Sequence, residues 1–212
     1  MSIQLSKIKK QAMLTYKNKS HNSLQVLTLN KPNITDFAKE RNNLMEKSKS
    51  EWLLFLDSDE VANKELMIEI KKIINKVPNL AGYYIKRNIY FLGKYIGYDK
   101  VLRLGKRNSG KWERAVHEEW KIDSRIGTLQ GVIKHNTADN LFDYVNKMNK
   151  YSTLHALENI KEGKKSNLFK IIFFPIFKFV QNFTKGRGFV FSMLQSFHSF
   201  LGWTKQWELQ KG

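Results

Sequence analysis

The hydrophobic pattern is organised around one short apolar run, Trp52–Leu56, which ends in the acidic turn Asp57-Ser58-Asp59-Glu60. An apolar run of this length that is closed by polar residues predicts a buried strand of a parallel sheet. In open α/β sheets, ligands bind beyond the carboxyl ends of the strands. The acidic turn is therefore expected at a ligand crevice, although an acidic cap on the next helix fits the local pattern equally well.

Alternating strand and helix patterns surround this run and predict an α/β fold. Apolar residues at helical spacing follow the acidic turn and stop at Pro78, and a longer helical pattern begins at Leu141. Stretches rich in β-formers and bounded by turn residues predict further strands. These strands are Leu24–Leu29, Gly82–Tyr90, Val101–Leu104 and Ile126–Ile133, and a first helix is expected from about residue 3 to residue 16.

The acidic turn carries candidate metal ligands. Residues two apart on an extended chain face the same side, so Asp57 and Asp59 can converge on one ion. Carboxylates are hard oxygen ligands that suit magnesium or manganese, and such ions often share their coordination with substrate phosphates. The absence of cysteine excludes thiolate metal sites. His117 and His135 are further candidates, but a lone histidine is more often structural than catalytic.

The chain is strongly basic, with 37 Lys and Arg against 19 Asp and Glu and a formal net charge of +18. That charge favours an anionic partner, which is nucleic acid, a phosphorylated substrate or an anionic membrane surface. The basic residues are spread along the chain without a nucleic-acid recognition motif, so we expect no nucleic acid partner. Four basic residues could hold phosphate or the acceptor, but each is more simply interpreted as part of a solvated basic face. They are Lys86, Arg87, Arg103 and Arg107.

The C-terminal tail differs in composition from the rest of the chain. It is very apolar over Ile171–Phe177, and lysines flank and interrupt this stretch. Apolar and aromatic residues edged by lysine predict an interfacial segment that lies on an anionic bilayer. A helical pair that covers the domain's own core is the alternative. No apolar run reaches the roughly 18 residues of a spanning helix.

The order of these features resembles that of family 2 glycosyltransferases of the lipopolysaccharide-core type, which have the GT-A fold. Leu56-Asp57-Ser58-Asp59-Glu60 is similar to the Leu-Asp-x-Asp-Glu motif of that family. The resemblance spans about residues 24 to 160, and the ordered set of motifs is more specific than any one of them. The other matching positions are Arg41, Asn42, Trp52, Val116-His117-Glu118, His135, Tyr144, Lys147 and Tyr151.

The resemblance implies a metal-dependent, inverting sugar transfer. The donor would be a nucleotide diphosphate sugar, most commonly a uridine diphosphate hexose, and the acceptor a hydroxyl of a cell-surface glycolipid or polysaccharide. Asp59 would bind magnesium or manganese directly, and Asp57 and His135 would complete the metal site. Glu118 would be the general base, with Glu119 as its competitor.

The resemblance also implies where the protein acts and how it holds its donor. Arg41, Asp57 and His117 would bind the sugar nucleotide, Asp57 through the ribose. The enzyme would serve lipopolysaccharide biosynthesis in the cell envelope. It would be cytoplasmic and peripheral on the inner face of the bacterial membrane.

The front of the chain departs from the family pattern, because the two strands that normally grip the base and ribose are not recognisable. The resemblance thus implies an incomplete GT-A, Rossmann-like mixed sheet flanked by helices over residues 1–162, followed by an apolar helical segment over 163–212. A strand without its neighbour leaves buried backbone groups unpaired. We therefore expect Leu24–Leu29 either to pair with Trp52–Leu56 or to be poorly held. A catalytically inactive fragment that binds a membrane or a partner is the alternative function.

Overall fold

The computed structural model describes residues 15–16, 23–29, 34–76, 79–115 and 118–211. The strands are β1 (Thr15–Tyr16), β2 (Leu24–Leu29), β3 (Trp52–Asp57), β4 (Glu60–Ala62), β5 (Gly82–Phe91), β6 (Lys94–Lys106), β7 (Gly110–Glu113), β8 (Glu119–Ile122) and β9 (Ile126–Ala138). The helices are α1 (Phe37–Lys47), α2 (Lys64–Ile74), α3 (Leu141–Lys161), α4 (Leu168–Thr184) and α5 (Phe189–Leu209).

Seven of these strands form one mixed sheet in the order β1-β2-β3-β6-β5-β9-β4, and β7 and β8 form a separate antiparallel ribbon. Strand β3 pairs in parallel with β2 and antiparallel with β6. The predicted α/β fold with a mixed sheet and a helical apolar C-terminal segment is confirmed. The predicted domain boundary after residue 162 stays a prediction.

Strand β3 is buried on both of its faces. Trp52 and Leu54 pack into a cluster with the apolar face of α2, whereas Leu53 and Phe55 pack with α1 and the β7–β8 ribbon. This division follows from the alternation of side chains across a strand. Because both faces are covered, the strand needs the continuous apolar run that marks it in the sequence.

The expected pairing of Leu24–Leu29 with the central strand is confirmed. Six residues of β2 lie in register with β3, from Leu24 opposite Trp52 to Leu29 opposite Asp57. The backbone groups of β3 along this edge are therefore paired. Most of the predicted first helix lies outside the described residues, and at its end Thr15–Tyr16 form a short strand against β2 instead.

Helix α2 is fixed to strand β9 by two polar side chains. Asn63 caps the helix, and its Oδ1 accepts hydrogen bonds from the backbone N–H groups of Leu66 (2.9 Å) and Val132 (3.2 Å). Glu69 accepts from the backbone N–H of Gly131 at 2.8 Å. A β-carbon at Gly131 would lie 2.4 Å from the Cα of Leu66, so this position has no room for a side chain.

The chain divides into two compact units. The first comprises residues within 1–87, 99–113 and 118–135, and the second comprises those within 88–98, 114–117 and 136–212. In the second unit, Phe91, Tyr144 and Phe191 form the centre of an aromatic core. Within the described part of the chain, none of the helices combines the length and the apolar character needed to cross a bilayer.

We expect Gly131→Ala to destabilise the protein by about 1–3 kcal/mol, because the added methyl group overpacks the contact with the backbone of α2. Gly202→Ala is the matched control. It adds the same methyl group inside α5, where the nearest atom would be 3.5 Å away, and alanine favours a helix over glycine. Urea denaturation of both variants checks the prediction. Equal stability of the two variants would show that a side chain fits at position 131, which would contradict the close contact seen in the structure.

Candidate active site

The acidic turn at the end of β3 is anchored in a network of buried ion pairs. Asp57 is the last residue of β3, and each of its oxygens accepts from a different guanidinium. Arg41 Nη2 lies 2.5 Å from Oδ1, and Arg103 Nη2 lies 2.6 Å from Oδ2. Charge-assisted hydrogen bonds of this kind are the strong ones in proteins. Asp57 is therefore held in one orientation from both sides.

The two guanidiniums set the ionisation of Asp57. Burial on its own would raise the pKa of this carboxyl, but the positive charges of Arg103 and Arg41 outweigh burial and hold the pKa below its ordinary value of 3.8. Burial likewise disfavours the charge of Arg41, but Asp57 and Glu118 outweigh it and raise the pKa of Arg41. Both groups are thus charged at neutral pH.

Arg41 joins Asp57 to Glu118. Its Nε and Nη2 donate to Glu118 Oε1 at 3.0 and 2.8 Å, and its side chain has no solvent exposure. Arg41 comes from α1 and Glu118 precedes β8, so one guanidinium links three elements. A buried charge is tolerated only when it is paired and hydrogen-bonded. The position of Glu118 is therefore fixed by the same group that fixes Asp57.

An aromatic ring lies over the guanidinium of Arg41. Its guanidinium lies 4.7 Å from the ring centroid of Trp112, a distance suited to a cation–π contact. The side-chain amide of Asn42 donates to the backbone carbonyl of Trp112 and accepts from its backbone N–H, both at 2.9 Å. Trp112 also stacks on Trp120 across the ribbon. The residues Arg41 and Asn42 thus fix the ribbon to α1.

The network extends through the buried carboxylate of Glu60. Its Oε2 accepts from the backbone N–H of Asp57 at 3.0 Å, and its Oε1 lies 2.8 Å from Arg87 Nη1 and 3.4 Å from Arg103 Nη2. Arg87 also forms a two-bond pair with Asp99 at 2.9 and 2.6 Å. The solvated basic face predicted for Arg87 and Arg103 is wrong, because both guanidiniums are drawn inside to balance these acids.

Asp59 and His135 form a second contact beside this network. Their Oδ2 and Nε2 atoms are 3.4 Å apart. The contact follows from strand pairing, because Glu60 of β4 lies opposite His135 of β9 in the antiparallel ladder. His135 Nδ1 is buried and has no hydrogen-bond partner among the described residues. Asp59 also lies near Asp57, whose pKa its negative charge raises slightly against the arginines.

These donors fit a divalent ion only in part. Asp59 and His135 offer one oxygen and one nitrogen, which suits an ion that takes its other ligands from substrate phosphates. Both oxygens of Asp57 already accept from arginine, and its role as a metal ligand stays a prediction. In the ranges that the structure describes, no group of three or more His, Asp or Glu side chains is placed to hold a metal.

The predicted site residues thus separate into two sets. The structure brings Arg41, Asp57 and Glu118 into one network, and it brings Asp59 and His135 together beside it. His117 lies outside the described residues. Glu119, the competitor of Glu118, is an exposed residue of β8 and pairs with Lys121.

Four members of the network are not predicted from the sequence to take part in it, and they are Glu60, Arg87, Asp99 and Arg103. Glu60 belongs to the acidic turn, but the pattern gives it no role of its own. Arg103 sits between Leu102 and Leu104 in β6 and is itself buried. An arginine inside an apolar strand is a signal for a buried ion pair, because such a charge needs a partner.

Comparison with known proteins identifies relatives that are named glycosyltransferases. The chain is 24% identical to the lipopolysaccharide core biosynthesis glycosyltransferase LpsC of Rhizobium meliloti (strain 1021), over 78% of this chain and 67% of that protein. It is 30% identical to an uncharacterized glycosyltransferase of Rickettsia bellii (strain RML369-C), over 76% of this chain and 63% of that protein. A similar protein of Rickettsia typhi is 26% identical, with 76% and 63% covered.

The chain spans about two thirds, or slightly less, of the length of these relatives. No family model matches the chain. The similarities support a relationship to glycosyltransferases. These similarities concern the amino-acid sequence, whereas the ion-pair network is observed in the structure.

We expect Arg41→Met to cost about 3–5 kcal/mol of stability, because Glu118 loses both of its hydrogen bonds to Arg41 and Asp57 keeps only Arg103 as a partner. Lys39→Met is the matched control, since it removes one positive charge from an exposed position of the same helix. Chemical denaturation followed by circular dichroism measures both. Equal losses in the two variants would contradict a buried network at Arg41.

The lowered pKa of Asp57 ties stability to pH. The folded state keeps this carboxylate ionised to lower pH than the unfolded chain does, so its contribution is fully present above about pH 4 and is lost as the pH falls through the folded pKa. We expect Asp57→Asn to cost about 2 kcal/mol at pH 7, and this difference from the wild type to shrink below pH 4. Urea unfolding at pH 7, 5 and 3 measures it.

Asp123→Asn serves as the control for this pH series, because Asp123 is an exposed aspartate in the loop after β8. Its stability should follow that of the wild type at every pH. A loss in Asp57→Asn that stays constant from pH 7 to pH 3 would show that the missing carboxylate charge is not its cause.

Proposed function

We propose that the protein is a glycosyltransferase that moves a sugar from a nucleotide diphosphate sugar to a hydroxyl of a cell-surface glycolipid or polysaccharide. The observation that carries this proposal is the buried Arg41 guanidinium, which fixes Asp57 at the end of β3 and Glu118 beside it. The similarity to named glycosyltransferases supports the same activity. The resemblance of the acidic motif to family 2 enzymes supports a uridine diphosphate hexose as donor.

The proposed donor site lies at the end of β3. Asp59 and His135 would hold magnesium or manganese together with the diphosphate, and the 3.4 Å contact between Asp59 Oδ2 and His135 Nε2 supports this assignment. When bound, the ion would offset the charge of the leaving diphosphate. Asp57 would face the ribose, and its orientation would be set by Arg41 and Arg103.

Glu118 is the proposed general base. The acceptor hydroxyl gives its proton to the carboxylate while its oxygen attacks the anomeric carbon, and the bond from that carbon to the diphosphate breaks. One direct displacement inverts the sugar and needs no enzyme nucleophile. Both Arg41 hydrogen bonds reach Glu118 through Oε1, and we assign Oε2 to the acceptor. A carboxylate within hydrogen-bond reach of the acceptor hydroxyl can take this proton.

The C-terminal helices would attach the protein to the inner face of the bacterial membrane. Helix α4 exposes large apolar side chains, including Phe169, Ile176 and Phe177. Contiguous exposed apolar surface marks interaction sites in soluble domains. Lysines beside an apolar face favour an anionic bilayer.

We expect Glu118→Gln to lower kcat about 10²–10⁴-fold, the usual contribution of a general base. Glu119→Gln removes a neighbouring carboxylate that faces solvent and should keep nearly full activity. The measurement is release of nucleoside diphosphate and transfer of a labelled sugar to extracted glycolipid, with magnesium or manganese present. Equal activity of the two variants would place the base elsewhere.

Asp59→Ala and His135→Ala test the donor site in the same assay. Each should raise the magnesium or manganese concentration needed for half-maximal activity. If the wild type shows no turnover with any nucleotide sugar, the catalytically inactive, membrane- or partner-binding alternative replaces the proposal.

A further inference from the structure

The helical unit contains a cavity of about 710 Å³ that the proposed transferase chemistry does not use. Helices α4 and α5 supply most of its wall, and His155 of α3 completes it. The volume lies within the range of about 300–1,000 Å³ that is usual for small-molecule sites. All of its lining residues belong to one unit of the chain.

The cavity wall is amphipathic. Four of its ten lining residues are phenylalanines, and the other six are polar. The phenylalanines are Phe169, Phe173, Phe174 and Phe177, and the polar residues are His155, Lys178, Gln181, Gln195, His198 and Ser199. None of these lining residues is acidic. A wall of this kind fits a ligand with an apolar chain and an uncharged or anionic head.

The phenylalanine side of the cavity is open at its edge. Phe169, Phe173 and Phe177 are each at least half exposed, at 60%, 50% and 68%. Aromatic side chains that line a cavity and also face solvent leave apolar area uncovered, which is costly in water. A chain entering between them would cover that area.

Positive charge lies directly beside the phenylalanines, because Lys178 follows Phe177 in α4. Lys178 is half-buried in the cavity wall. Burial, together with the nearby charges of Arg187 and Lys185, lowers the pKa of Lys178. An anion placed there would relieve this repulsion. The sequence supplies no carboxylate to do so, because residues 163–207 contain seven Lys and Arg and no Asp or Glu.

We propose that this cavity binds one acyl chain of an anionic membrane lipid, with the chain along the phenylalanines and the headgroup phosphate beside Lys178. The charge complementarity of the acid-free segment selects a lipid over an apolar peptide or a second copy of this basic chain. The inference deepens the proposed membrane attachment by naming its ligand, but it needs no sugar transfer.

The test uses the full chain and a soluble lipid. Calorimetric titration with tetradecanoyl lysophosphatidic acid, below its micelle concentration, should show one site per chain. Lysophosphatidylcholine of the same chain length should bind about tenfold more weakly, and inorganic phosphate should give no saturable binding. Binding of phosphate as tight as that of the lysolipid would overturn the proposal, because the cavity would then have no part in it.

Three variants locate the site. Ser199→Phe fills the cavity and should weaken binding at least tenfold. Lys178→Gln should bring the affinity for lysophosphatidic acid to that for lysophosphatidylcholine. Lys170→Gln removes a positive charge from the same helix at a position that does not line the cavity, and it should bind like the wild type. Thermal unfolding of each variant separates lost binding from lost folding.

The remaining outcomes decide whether the cavity is the lipid site. If Lys178→Gln binds both lysolipids like the wild type, or if all three variants lose affinity equally, the cavity is not the site. Analytical sedimentation tests whether a second copy covers the apolar face instead. A dimer that lysophosphatidic acid does not dissociate would assign this face to dimerisation and overturn the proposal. If the protein binds the lipid but transfers no sugar, this inference holds and the proposed transferase activity is wrong. If it transfers sugar but does not bind the lipid, the transferase activity holds and this inference is wrong.

Discussion

The structure of the first unit depends on the burial of one charge, the guanidinium of Arg41. A buried arginine without partners would be strongly destabilising, and here two carboxylates from distant parts of the sequence neutralise it. Asp57 is the last residue of β3, and Glu118 directly precedes β8 of the ribbon. The sheet, α1 and the ribbon must therefore all be in place before the charge is satisfied. The ring of Trp112 lies over this charge in a cation–π contact.

Because buried charges need partners, the carboxylates at the end of β3 are paired with arginines and do not form an open acidic cluster. Three guanidiniums, from Arg41, Arg87 and Arg103, alternate with four carboxylates, from Asp57, Glu60, Asp99 and Glu118. The alternation makes each group rigid, because moving one leaves its neighbours unpaired. Asp59 and His135 contact each other beside this rigid network.

The local part of this architecture could be predicted from the sequence. The apolar run and its acids identified β3, and helical spacing identified α2 and α3. The family resemblance selected Arg41 and Glu118, which the structure joins through a hydrogen bond. The roles of Glu60, Arg87 and Arg103 could not be predicted, because their pairing depends on β6 lying beside β3. Antiparallel pairing between residues about 50 positions apart leaves no local pattern.

The cavity in the helical unit could not be predicted for a similar reason, since spacing alone does not show whether phenylalanines face a core or an opening.

The ladder between β4 and β9 has a consequence for how this protein can vary. His135 meets Asp59 because Glu60 and His135 are partners in an antiparallel pair. Side chains alternate across a strand, so a shift of one residue in either strand would turn His135 to the opposite face of the sheet. Insertions and deletions in the connections between β4 and β9 are therefore tolerable only where they leave that pairing unchanged. Related chains should vary freely in the length of those loops while keeping the spacing from Asp59 to Glu60 fixed.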